Sequence, residues 1–155
     1  MNNGNNVKLE DVFPLIAEKL KLGGTVTFKP HGVSMLPLIR QGRDSVVIER
    51  YAGNAKVGDV IFFRRPNGQF VLHRVIGKNK DGYVLCGDNQ WQKERGVREE
   101  WIIGTLTGLL RDGEAAELDC ESYRKYVKRL KYRRRMLFIK HKGRRLKEEI
   151  LKRIK

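Results

Sequence analysis

The chain has 155 residues, 40% of them apolar, which suits one compact domain with an appendage. Its net charge of +15 is unevenly placed: residues 121–155 hold sixteen Lys and Arg against three Glu, a net of +13, leaving +2 on residues 1–120. Two cysteines, Cys86 and Cys120, in no metal-ligand spacing, and three scattered histidines, His31, His73 and His141, argue against a zinc site and against a structural disulfide, so no metal and no cofactor is expected.

The opening Met1-Asn2-Asn3-Gly4-Asn5-Asn6 lacks the basic and apolar regions of a secretory signal. No stretch approaches the roughly 18 to 20 apolar residues of a membrane span. A cytoplasmic protein, or one peripheral to the inner membrane face, is the expectation. Leu9, Val12, Phe13, Ile16 and Leu20 recur at helical spacing, with Asp11 as a cap, Pro14 early enough to be tolerated and Gly23-Gly24 as a stop. Such a helix docks on a sheet or lies in an interface.

From Thr25 the pattern changes to short β-branched and aromatic runs, predicting strands over 46–49, 60–63, 70–76, 83–85 and 101–107. Arg65-Pro66-Asn67-Gly68 and Lys80-Asp81-Gly82 are turn signals between them. The predicted fold is mainly antiparallel β with a short N-terminal helix and a basic C-terminal helical tail, divided as 1–24, 25–112 and 113–155.

Two separated segments carry chemistry. His31-Gly32-Val33-Ser34-Met35-Leu36-Pro37 places a serine in a turn that Gly32 can sharpen and Pro37 can stiffen, and Phe70-Val71-Leu72-His73-Arg74-Val75 places a histidine on a strand. A serine hydroxyl needs a neighbouring base to become a nucleophile, and neutral imidazole fills that role near neutrality. Ser34 and His73 are therefore a candidate catalytic pair; the plain alternatives are a turn with a hydroxyl cap and a satisfied core histidine. The polar run Gly87 to Glu94 reads as a loop in which Asp88 either accepts a hydrogen bond from His73 and fixes its tautomer or closes an Asx-turn. Trp91 within it either lines a groove or pins the loop.

The ordered motifs Gly32-x-Ser34-Met35-x-Pro37, Gly58-Asp59, His73-Arg74-Val75, Gly87-Asp88-Asn89 and Ile103-Gly104 resemble the signal peptidase I superfamily across about residues 25–109. The His-Arg motif places the likeness closest to the branch that uses histidine, the endoplasmic-reticulum, archaeal and spore-former type, where bacterial signal peptidases and self-cleaving repressors carry lysine. The resemblance implies Ser34 as nucleophile, His73 as general base, the Ser34 backbone N–H as an oxyanion donor and Asp88 as the acid supporting the histidine. A second acid follows six residues on, where Glu94 stands as a candidate supporting group. Gly32, Met35 and Pro37 are the motif residues expected at the substrate groove. The family's membrane anchor is therefore not expected here, since no stretch of this sequence is apolar enough to form it, and Gly32 stands where signal peptidases carry a second hydroxyl donor.

The tail from about Glu121 reads as helical, with Tyr123, Tyr126, Val127 and Leu130 in one stripe, a cluster over 136–139 flanked by Arg133-Arg134-Arg135 and Lys140, and Leu146, Ile150, Leu151 and Ile154 beyond Gly143. It suits an anionic membrane surface first, its own domain or a second copy next, and nucleic acid less. The function these features imply is a serine endopeptidase cleaving a peptide or leader segment. The alternatives are a repressor-like protein that cleaves itself and a non-catalytic module that binds peptide in the same groove.

Overall fold

The computed structural model describes residues 9–154. The stretch 1–6, read above as lacking a secretory signal, lies outside the described residues. Helix α1 (Leu9–Lys21) buries Ile16 and Leu20 and packs Phe13 against Phe70 in a tilted pair, with ring centroids 5.0 Å apart. Asp11 sits inside its first turn rather than capping it. The helix ends as expected: Gly23 has φ +79°, and the Gly23 and Gly24 N–H groups donate to Leu20 and Lys19 carbonyls, an ending that glycine permits without a Cβ clash.

Eight strands follow: β1 (Val26–Phe28), β2 (Ser45–Arg50), β3 (Val60–Arg64), β4 (Phe70–Asn79), β5 (Gly82–Cys86), β6 (Glu94–Val97), β7 (Ile102–Arg111) and β8 (Glu114–Ala116). They form one antiparallel sheet in the order β1-β2-β7-β3-β4-β5-β6, with β8 folded back on β7. All five predicted strands are present. The three not anticipated, β1, β6 and β8, are too short to show alternation. β8 carries the sheet to Ala116, past the boundary expected at 112, and β6 turns the end of the predicted 87–94 loop into a strand that begins at Glu94.

The central strands are covered on both faces, which explains the unbroken apolar run of β3. Val60 and Phe62 face a core shared with α1, Met35, Leu38 and Ile39, whereas Ile61 and Phe63 face a second core with Val75, Tyr83, Leu85 and Val97. This period of two also sorts β4. Phe70 and Leu72 join the first core and Val71 and Val75 the second, so the adjacent residues His73 and Arg74 serve opposite faces of the sheet.

Helix α2 (Glu121–Ile154) is continuous. Gly143 does not break it, because a single glycine costs a helix only about 1 kcal/mol. Its first half docks on the β domain: Tyr123, Tyr126, Val127, Leu130, Arg134, Leu137 and His141, spaced three or four apart, are its buried or half-buried positions, and Leu130 is 1% exposed. The predicted 136–139 cluster is divided by this geometry. Leu137 turns inward and Phe138 meets Trp91, while Met136 and Ile139 face solvent. From Lys142 to Arg153 every residue is exposed.

Candidate active site

Ser34 lies in the turn between β1 and β2. Gly32 at φ +103° gives the turn its sharp start, and its N–H donates to Gln41 Oε1 at 3.1 Å. The turn is held from below, because Met35, Leu38 and Ile39 are core residues, and Ser34 itself is half-buried. It is held from the side by Gly87-Asp88-Asn89. The Asn89 N–H donates to the Ser34 carbonyl at 2.8 Å and the Asn89 side-chain amide to the Val33 carbonyl at 3.2 Å. A Cβ on Gly87 would stand 2.6 Å from the Ser34 carbonyl oxygen, so only glycine allows this approach.

Ser34 and His73, from different elements, line one groove of about 920 Å³. Its wall includes β1, and Phe28, Met35, Ile39, Phe62 and Leu72 give it an apolar floor. Gly32 and Met35 line it as expected; Pro37, after a cis Leu36-Pro37 bond, is exposed and stands outside the lining.

The acid beside His73 is Glu94, not Asp88. His73 is 4% exposed, and its Nδ1 stands 3.5 Å from Glu94 Oε2, a charge contact too long and misdirected to count as a hydrogen bond. Arg65 grips the same carboxylate with Nε and Nη2 at 2.7 Å each. Burial works against the Glu94 charge, but Arg65 and then His73 outweigh it and hold the carboxyl at about 2. A carboxylate on the Nδ1 side favours the tautomer protonated there, leaving Nε2 as the basic nitrogen.

Asp88 is on the other face of the sheet because its partner is Arg74, the next residue along β4. Arg74 Nε and Nη2 donate to its two oxygens at 2.8 and 2.6 Å, and the Tyr126 hydroxyl donates to Oδ2 at 2.8 Å. Asp88 is fully buried and the Arg74 side chain is 2% exposed. Burial and then Asp88 push the Tyr126 phenol above its ordinary range, so it remains a donor. The expectation that Asp88 orients the histidine is therefore corrected: Gly87-Asp88-Asn89 is a clamp, with the glycine making room for the Ser34 turn, the asparagine bonding it and the aspartate anchoring the clamp to Arg74 and α2.

No family model matches this chain, and no curated protein does. The site therefore stands on its own geometry. Sequence reasoning missed Arg65, read only as part of a turn, and the roles of Arg74 and Tyr126. A signal for Arg74 was present: a buried aspartate requires a cation, and an arginine sits beside the histidine. Trp91, left open between two roles, packs on Phe138 and His141 at 5.2 and 4.9 Å and so pins α2 to the loop.

The Glu94 pair makes a prediction about acid stability. Its carboxyl is held at about 2 in the folded protein against an ordinary 4.5, so its contribution to stability is complete above 4.5 and is lost as pH falls toward 2. Urea unfolding across that window should therefore show a shallower acid loss for Glu94→Gln than for the parent protein. Parallel curves for the two would refute the pairing.

Proposed function

We propose that the chain is a serine endopeptidase of the signal-peptidase type, cleaving a peptide or leader segment with Ser34 as nucleophile, His73 as general base and Glu94 as the acid behind the histidine. The observation that carries this reading is that Ser34 and His73 line one apolar-floored groove while Glu94, fixed by Arg65, stands beside the histidine's Nδ1. The base takes the Ser34 proton as Oγ attacks the scissile carbonyl and returns it to the leaving amine; water then repeats the cycle on the acyl-enzyme. Strand β1 pairs with β2 alone among the described strands, so its outer edge can align an extended peptide in the groove through main-chain hydrogen bonds. Incubation with a degenerate peptide library, with Ser34→Ala as the blank, tests this. Bond cleavage that requires Ser34 supports it, and a library left intact by the parent protein defeats it.

The free thiols Cys86 and Cys120 suit a reducing compartment, and we place the protein in the cytoplasm or at the inner membrane face. No helix among the described residues is long and apolar enough to cross a membrane. The outward stripe of α2, Tyr132, Met136, Ile139, Leu146 and Ile150, is exposed at steps of four, three, seven and four residues with Lys and Arg beside it, which favours contact with an anionic lipid surface. The full chain should then co-sediment with vesicles containing phosphatidylserine and be released by salt, since screening acts over about 8 to 10 Å. Equal binding to phosphatidylcholine vesicles, or none to either, removes this part of the reading.

A further inference from the structure

A second cavity, of about 1150 Å³, lies between α2 and the β domain. It shares Arg65, His73 and Gln90 with the groove that holds Ser34, so the two meet at the histidine. Their linings differ. Where the first has only Lys29 and Arg65 as lining cations, the second adds Lys93, Arg95, Lys131, Arg134 and Arg135 against a single lining carboxylate, Glu94, which Arg65 already takes with two hydrogen bonds.

The charge of this chamber is not cancelled from behind. Arg134 Nη2 stands 3.6 Å from Asp88, whose oxygens Arg74 and Tyr126 already occupy, and Arg134 Nε and Nη2 are buried without hydrogen-bond partners. Lys93, Arg95, Lys131 and Arg135 are exposed at the chamber's rim and make no ion pair among those formed by the described residues. A concave wall of one sign beside apolar side chains such as Val127 and Phe138 concentrates negative partners, and guanidinium groups match carboxylates in shape.

We propose that this chamber is a specificity subsite for an acidic stretch of the peptide substrate, lying on the side of the scissile bond away from the part aligned on β1. The inference rests on the peptidase reading for its occupant: a peptide leaving the Ser34 groove past His73 runs directly into the chamber, whereas a free nucleic acid has no reason to follow that path. It gives α2 a place in substrate choice, because Lys131, Arg134 and Arg135 come from the helix, whereas Arg95 comes from β6.

The test uses the full-length protein and two double variants, Lys131→Glu/Arg135→Glu in the chamber and Lys147→Glu/Lys152→Glu on the exposed half of the same helix. In the peptide library, Ser34-dependent cuts should be enriched in Asp and Glu on one side of the cleaved bond only, and the chamber variant alone should remove that enrichment. Ser34-dependent cleavage with no acidic preference overturns the subsite and leaves the peptidase reading intact. A binding measurement decides the matter independently of cleavage: a fluorescein-labelled hexaglutamate peptide should bind Ser34→Ala protein, and the chamber pair should weaken it about tenfold while the distal pair has little effect. Equal weakening by both pairs, or no binding at all, rules the subsite out, as does a single-stranded RNA oligonucleotide that binds more tightly and loses affinity through the same chamber pair.

Discussion

Replacing Ser34 or His73 with alanine is expected to lower kcat/KM for any peptide the protein cuts by about a thousandfold or more, and the double variant is expected to lose no more than either single one. The reason is that nucleophile and base act as a unit: without the base the hydroxyl keeps its proton, and without the hydroxyl the base has nothing to activate. Glu94→Gln should cost less, about ten- to a hundredfold, because the proposed role of Glu94 is to orient and stabilise the imidazole rather than to touch substrate. Ser34 is half-buried in a turn held by its backbone, so Ser34→Ala should unfold at the same urea concentration as the parent protein. Near-full activity in His73→Ala protein would point to a different base and dismantle the pair.

Asp88→Ala is expected to destabilise the fold by about 3 to 5 kcal/mol, the cost of leaving a buried charge without its partner. Arg74 would keep its guanidinium 2% exposed with two donors emptied, and Tyr126 would lose its acceptor. Burial by itself disfavours the Arg74 charge, and Asp88 more than restores it. Arg74→Ala should cost a similar amount, and Arg74→Met/Asp88→Leu much less than the sum, since an apolar pair removes both charges at once. The measurement is the urea midpoint at unchanged slope. A loss under about 1 kcal/mol for Asp88→Ala would mean that the pair behaves like one in solvent, contrary to its burial.

These two experiments separate residues that the sequence alone placed together. The serine turn, the histidine strand and the antiparallel core were readable because each rests on a local pattern: Gly32 before Ser34, alternation through β4, β-branched runs between turn residues. The choice of acid was not. Asp88 and Glu94 both follow His73, in one polar run, and which one faces it depends on the face that each β4 residue presents and on β6, a four-residue strand with no alternation to detect. Arg65 was illegible for the same reason: its partner Glu94 is twenty-nine residues away, at the start of β6, and only the tertiary fold brings the two together. The tail was readable as a helix and as amphipathic, but it has two apolar faces. The inward face, through Leu130, is fixed by contacts that no periodicity reveals.

Asn89 does two things at once. Its N–H and side-chain amide hold the backbone of the Ser34 turn, and its side-chain oxygen accepts from Arg133 Nη2 of α2 at 2.8 Å, while Arg133 Nε donates to the carbonyl of Asp88. One residue is thus the joint between the seating of a long helix and the posture of the Ser34 turn. Free energies that pass through a shared joint are not additive: loosening the helix at Arg133 and loosening the turn at Asn89 draw on the same hydrogen bonds, so the second change costs less than it would alone.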